Sequence, residues 1–84
     1  MVELTHTIAD PMGFHARSVM LVAGEAGRWN STLSVSFAGR TAKAEDPIEL
    51  MGLGAKAGDT IVVSIEGDDE QDCAEFVNHL LRRL

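Results

Sequence analysis

Hydrophobic and polar residues alternate through Val2-Glu3-Leu4-Thr5-His6-Thr7-Ile8, the two-residue period of a strand with one buried face. The same period returns twice. Leu33, Val35 and Phe37 alternate with Thr32, Ser34 and Ser36, and Ile61, Val63 and Ile65 form the apolar side of Thr60 to Glu66. Ala38-Gly39 reads as a tight turn into a short strand around Arg40 to Ala44. Between the strands the period lengthens. Ala16, Val19, Met20, Ala23 and Ala26 recur at helical spacing, and Gly27 can end that helix. A last helix is expected from about Glu70 to the end, with Cys73, Val77, Leu80 and Leu84 on its core side.

Asp46-Pro47-Ile48-Glu49 has the chemistry of a helix start. Asp46 can accept a free N–H, Pro47 suits the first helical position, and Glu49 completes a reach resembling a capping box. Gly52 and Gly54 keep that helix short. Asp10-Pro11-Met12-Gly13 and Lys56-Ala57-Gly58-Asp59 read as turns. The expected order is β-α-β-β-α-β-α. Two long helices, each with one apolar face, can cover only one side of a four-stranded antiparallel sheet. The expected fold is therefore α+β, an open-faced β-sandwich.

Composition narrows the function more than the fold. The 84 residues (1–84) leave room for a single domain, and their 45% apolar and 24% charged content is that of a globular chain. A net charge of −6 argues against nucleic acid, since a phosphate backbone requires a positive face. The start, MVELTHTIAD, lacks the pattern of a signal peptide, and no apolar run approaches a membrane span. Cys73 is the single cysteine, which fits a reducing cytoplasm.

Gly13-Phe14-His15-Ala16-Arg17-Ser18 places an imidazole and a guanidinium at the entrance of the first helix. Unpaired N–H groups and the positive end of the helix dipole favour an anion there. Arg17 could offer fork-shaped donors to the oxygens of a phosphoryl group, and a neutral imidazole is a nucleophile that needs no metal. The residues alone license an anion site, or equally a surface His and Arg that flank a helix start. The three histidines have no metal-ligand spacing. His6 reads as a packed or edge residue, His79 as solvated and Cys73 as a small hydrophobe. The acidic run Glu66 to Asp72 reads as a solvated loop and helix start.

The whole chain resembles the HPr family, the histidine-containing phosphocarriers of the phosphoenolpyruvate-dependent phosphotransferase system. The family run of Gly, apolar, His, Ala or Thr, Arg, Pro stands here as Gly13-Phe14-His15-Ala16-Arg17-Ser18, and its second landmark, a short apolar helix, as Asp46 to Gly54. The resemblance implies a sheet in the order 1-4-2-3 and a soluble, cytoplasmic, monomeric carrier without a cofactor. It implies that His15 accepts a phosphoryl group from phosphorylated enzyme I and passes it to an enzyme II component, with Ala16, Arg17 and Ser18 binding the phosphate. Met20, Ile48 and Met51 would form the apolar docking patch, flanked by Asp46 and Pro47.

Several positions depart from the family pattern. Ser18 stands for its proline, and Gly24, Gly27 and Glu49 stand where many members carry lysines facing acidic partners. Asp46 occupies the place of a serine phosphorylated by an ATP-dependent kinase in some members. These departures keep a second expectation alive, a regulatory interaction module that binds partners without carrying phosphate.

Overall fold

The computed structural model describes residues Met1–Leu84. The elements follow the expected order: β1 (Val2–Thr7), α1 (Ala16–Ala26), β2 (Thr32–Phe37), β3 (Arg40–Lys43), α2 (Pro47–Gly52), β4 (Thr60–Glu66) and α3 (Glu70–Leu81). The strands form one antiparallel sheet in the order β1-β4-β2-β3. Leu4 lies opposite Val63, which lies opposite Val35, which lies opposite Ala42, so one apolar row crosses all four strands. The next register row, Thr5, Val62, Ser36 and Thr41, belongs to the other face, as the two-residue period requires. A core of 20 buried residues joins the apolar face to the helices. Ala38 and Gly39 both have positive φ, 52° and 78°, the combination that matches a two-residue hairpin to the twist of its strands.

Three details differ from the sequence reading. On α1 the buried stripe is Ser18, Val19, Val22 and Ala26, whereas Ala16 and Met20 are exposed. The Ala16, Met20, Ala23 ridge lies beside the one that meets the sheet; in so small-residued a helix the two have similar hydropathy. Glu49 does not reach the amide of its own cap. Its Oε1 accepts the Lys43 N–H at 3.2 Å, tying α2 to the end of β3. The last helix stops at Leu81, which is buried where Leu80 is half-buried. Residues 82–84 turn back, Leu84 enters the core, and its carbonyl accepts the N–H groups of Ala9 and Asp10 at 3.0 and 2.9 Å.

The acidic run is also more engaged than a solvated loop. Asp69 accepts hydrogen bonds from the Ser31 hydroxyl and from the Asn30 N–H, the latter at 2.9 Å, and these hold its carboxyl below the usual carboxylate range. Cys73 is fully buried, and its thiol is pushed up to about 11, by burial first and then by Asp69 and Glu25, so it packs as an inert hydrophobe.

His6 lies on the apolar face opposite Ile61, with its Nε2 buried and hydrogen-bonded to no protein group. Burial lowers its pKa from the ordinary 6.5. The unfolded chain therefore binds a proton at His6 that the folded chain does not, over the range from 6.5 down to the folded value. Stability should fall as pH drops through that window. His6→Leu should flatten this limb while leaving the steeper carboxylate loss below about pH 4 in place. Urea titrations of both proteins at closely spaced pH values read the difference; parallel curves would show that His6 contributes nothing.

Candidate functional site

The loop from Ile8 to His15 is pinned at both ends before it delivers a side chain. Ile8 N–H bonds the Asp59 carbonyl at 2.9 Å, Gly58 N–H returns to the Ile8 carbonyl at 2.8 Å, and Phe14 N–H bonds the Ala55 carbonyl at 3.1 Å. Phe14 is buried, whereas its neighbour His15 is only part-buried. Asp10 closes the turn: its carbonyl accepts the Gly13 N–H at 2.8 Å and its Oδ1 accepts the Met12 N–H at 2.9 Å.

His15 is the N-cap of α1, with extended backbone (φ −109°, ψ 180°). Its Nδ1 accepts the Arg17 N–H at 3.4 Å, so the imidazole takes the place usually held by a capping oxygen. Ser18, at the family's proline position, is 2% exposed. Its Oγ accepts the His15 N–H at 3.0 Å and lies 3.0 Å from the His15 carbonyl, to which it donates. The backbone of His15 is thus clamped by a reciprocal capping box. Serine does here what proline cannot, because proline has no hydroxyl to satisfy that N–H.

The other ring nitrogen is also engaged. Nε2 lies 3.1 Å from Asp10 Oδ2. The Met12 N–H, and after it His15, hold the Asp10 carboxyl below the usual range, so it is ionised at neutral pH. Asp10, His15, Arg17, Ser18 and Arg83 line one cavity of about 100 Å³, with Leu21 and Leu84 on its apolar side. Pockets that enclose small-molecule substrates run to roughly 300–1,000 Å³, so this one suits a small anion. Two guanidinium side chains and a helix N-terminus give it the electrostatics for one.

The structure thus brings His15, Arg17 and Ser18 together and adds Asp10, Leu21, Arg83 and Leu84 to them. Ala16 does not line the cavity, nor do Asp46, Pro47, Ile48, Met20 and Met51. The last three are nonetheless exposed apolar side chains, at 84%, 60% and 50%, on the packed helices α1 and α2, as a contact surface requires. Asp46 caps α2, its Oδ1 accepting the N–H groups of Ile48 and Glu49 at 3.0 and 3.2 Å. No helix is long and apolar enough to cross a membrane.

Comparison with known proteins gives the family of this open-faced sandwich. The family model for the PTS HPr component phosphorylation site matches residues 2–83. The phosphocarrier protein HPr of Mycoplasma pneumoniae is 34% identical over 84 residues, covering 99% of this chain and 96% of that protein. The crystal structure of HPr-C-His from Thermoanaerobacter tengcongensis superposes with a TM-score of 0.91 at 29% identity, covering 98% of this chain and 92% of that one. A crystal structure of an HPr dimer from the same organism matches with a TM-score of 0.77 at 29% identity over 99% and 95% of the two chains. The chain belongs to the HPr family of phosphocarrier proteins.

Proposed function

We propose that this chain carries a phosphoryl group on His15 Nδ1, taking it from phosphorylated enzyme I and passing it to an enzyme II or related acceptor. The observation that carries this reading is the placement of His15 as the α1 cap, with Nδ1 beside the Arg17 N–H in a small cavity that Arg17 and Arg83 share. An Nδ1–phosphoryl group replaces the lone pair that now accepts this N–H. Its oxygens then become the acceptors for the first-turn amides of Ala16, Arg17 and Ser18, and the guanidinium of Arg17 neutralises their charge. Incubation with phosphoenolpyruvate and enzyme I, followed by intact-mass measurement, tests the reading. A protein that binds enzyme I but gains no phosphoryl mass would be an interaction module instead.

Partner choice rests on α2. Asp46 holds a permanent charge where a phosphoserine would carry about −1.5 to −2, and Glu49 adds a second, so an acidic donor should be captured slowly. Asp46→Ser keeps a capping oxygen without the charge. It should leave stability nearly unchanged and raise the rate of transfer from an acidic donor, whereas Asp46→Ala should cost about 0.5–2 kcal/mol through loss of the cap. Stopped transfer assays and denaturant melts of the two variants separate the roles. Equal transfer rates for wild type and Asp46→Ser would leave Asp46 a cap alone.

A further inference from the structure

The proposed carrier chemistry leaves Asp10 unused, yet it is the one acidic side chain lining the His15 cavity and sits 3.1 Å from His15 Nε2. We propose that Asp10 is a positioning residue that keeps a proton on Nε2, so that Nδ1 presents its lone pair before transfer and the ring stays protonated at Nε2 after it. This rests on the reading of His15 as the phosphoacceptor.

The two nitrogens of a neutral imidazole cannot both donate, and the partner of one fixes the role of the other. Here the partners agree. A backbone N–H points at Nδ1 and can only donate, while an ionised carboxylate faces Nε2 and can only accept. Both interactions select the Nε2–H tautomer. The carboxylate is also held firmly, since Oδ1 takes the Met12 N–H and the Asp10 N–H is bonded to the Leu84 carbonyl at 2.9 Å. The other charged side chains lining this cavity, Arg17 and Arg83, are cations and cannot take the Nε2 proton.

The step then balances without moving a proton. The Nδ1 lone pair attacks phosphorus, the bond from phosphorus to the donor nitrogen breaks, and the electron pair leaves with that nitrogen. His15 becomes a phosphoimidazolium whose Nε2–H remains on Asp10. In the onward transfer the acceptor attacks phosphorus, the Nδ1–P bond breaks, and its pair returns to Nδ1, restoring the neutral Nε2–H ring. A protonated ring is the better leaving group, so a carboxylate that accepts from Nε2–H favours the onward transfer.

Asp10→Asn reverses one partner: its amide oxygen can keep the Met12 N–H, but its NH₂ then faces Nε2 and favours the opposite tautomer. Asp10→Ser keeps a short acceptor for the turn and cannot reach Nε2. Nitrogen-15 NMR of the unphosphorylated proteins, at alkaline pH where the ring is neutral, reads the tautomer directly. We expect Nε2–H in wild type, a shift toward Nδ1–H in Asp10→Asn and a mixture in Asp10→Ser, where the Arg17 N–H alone still favours Nε2–H, each with an otherwise native amide spectrum. Nδ1–H in wild type, or an unchanged tautomer in both variants, overturns the proposal. The second readout uses phosphoramidate as donor, which supplies the phosphoryl group as ammonia leaves, so no enzyme I is needed. Hydrolysis of the phosphorylated proteins should be about two- to fivefold slower at neutral pH in the variants, the scale of a part-exposed charged pair. Equal hydrolysis rates in wild type and both variants overturn the second half of the proposal. Failure of His15 to take phosphate from either donor would instead refute the carrier reading, while the NMR measurement still decides the role of Asp10.

Discussion

His15→Ala is expected to gain no phosphoryl group under conditions that phosphorylate the wild-type protein completely, whereas His6→Ala and His79→Ala should still accept one. The three histidines differ in surroundings. His6 has Nε2 buried in the sheet face, away from any incoming donor. His79 is exposed on α3, near the end of the helix where carbonyls face outward and the dipole repels an anion. Only His15 stands at a helix N-terminus with donors around it. Arg17→Ala should fold normally, since the side chain is exposed, but transfer about ten- to a hundredfold more slowly, because charge-assisted hydrogen bonds contribute about 1.5–3 kcal/mol each. Intact-mass measurement with peptide mapping at neutral pH resolves the site. Phosphate recovered on His6 or His79 would overturn the assignment.

Much of this was legible in the chain itself because the sheet has one wet face. Where Leu33, Val35, Ile61, Val63 and Ile65 must be dry and their neighbours need not be, the alternation is clean and the register has one solution. Helix α1 is harder to phase. Its small residues differ little in hydropathy from one ridge to the next, so the periodicity places Met20 with Val19 on the buried stripe, whereas the structure exposes it. That exposure fits the contact surface the family resemblance implies. In the candidate site, His15, Arg17 and Ser18 lie within four consecutive residues and form a motif visible in the sequence. Asp10 carries only a turn signal in the sequence, although it lies five residues from His15 and its turn folds the carboxylate back onto the ring. Arg83 had no local signal at all. It reaches the cavity because Leu84 is tied to the Ala9-Asp10 segment, a contact between the two ends of the described chain that no periodicity announces.

The same loop makes Gly13 the most sensitive glycine near the site. Its φ of +69° is a conformation L side chains rarely adopt, and a Cβ there would lie 2.8 Å from Lys56 Cα and 3.1 Å from the Ala55 carbonyl oxygen. Those are backbone atoms of the turn that anchors Phe14, so they cannot swing aside as a flexible side chain would. Gly13→Ala should therefore destabilise the protein by about 2–5 kcal/mol, the sum of left-handed strain and a displaced turn. Gly24, in the exposed interior of α1, is the control, because a Cβ there meets nothing within 4 Å. Gly24→Ala should stabilise by about 0.5–1 kcal/mol through the lower chain entropy lost on folding. Urea titrations give both values, provided the slopes match that of wild type. The consequence for transfer separates geometry from stability. Moving the 10–14 turn shifts both the His15 backbone and the Asp10 carboxylate that faces its ring. A misplacement of 1 Å can cost about a hundredfold in rate, so Gly13→Ala should transfer poorly even at a temperature where it is fully folded. Gly24→Ala should transfer like wild type. If a folded Gly13→Ala protein transfers at the wild-type rate, the loop does not set the position of His15, and the rigidity ascribed to it is wrong.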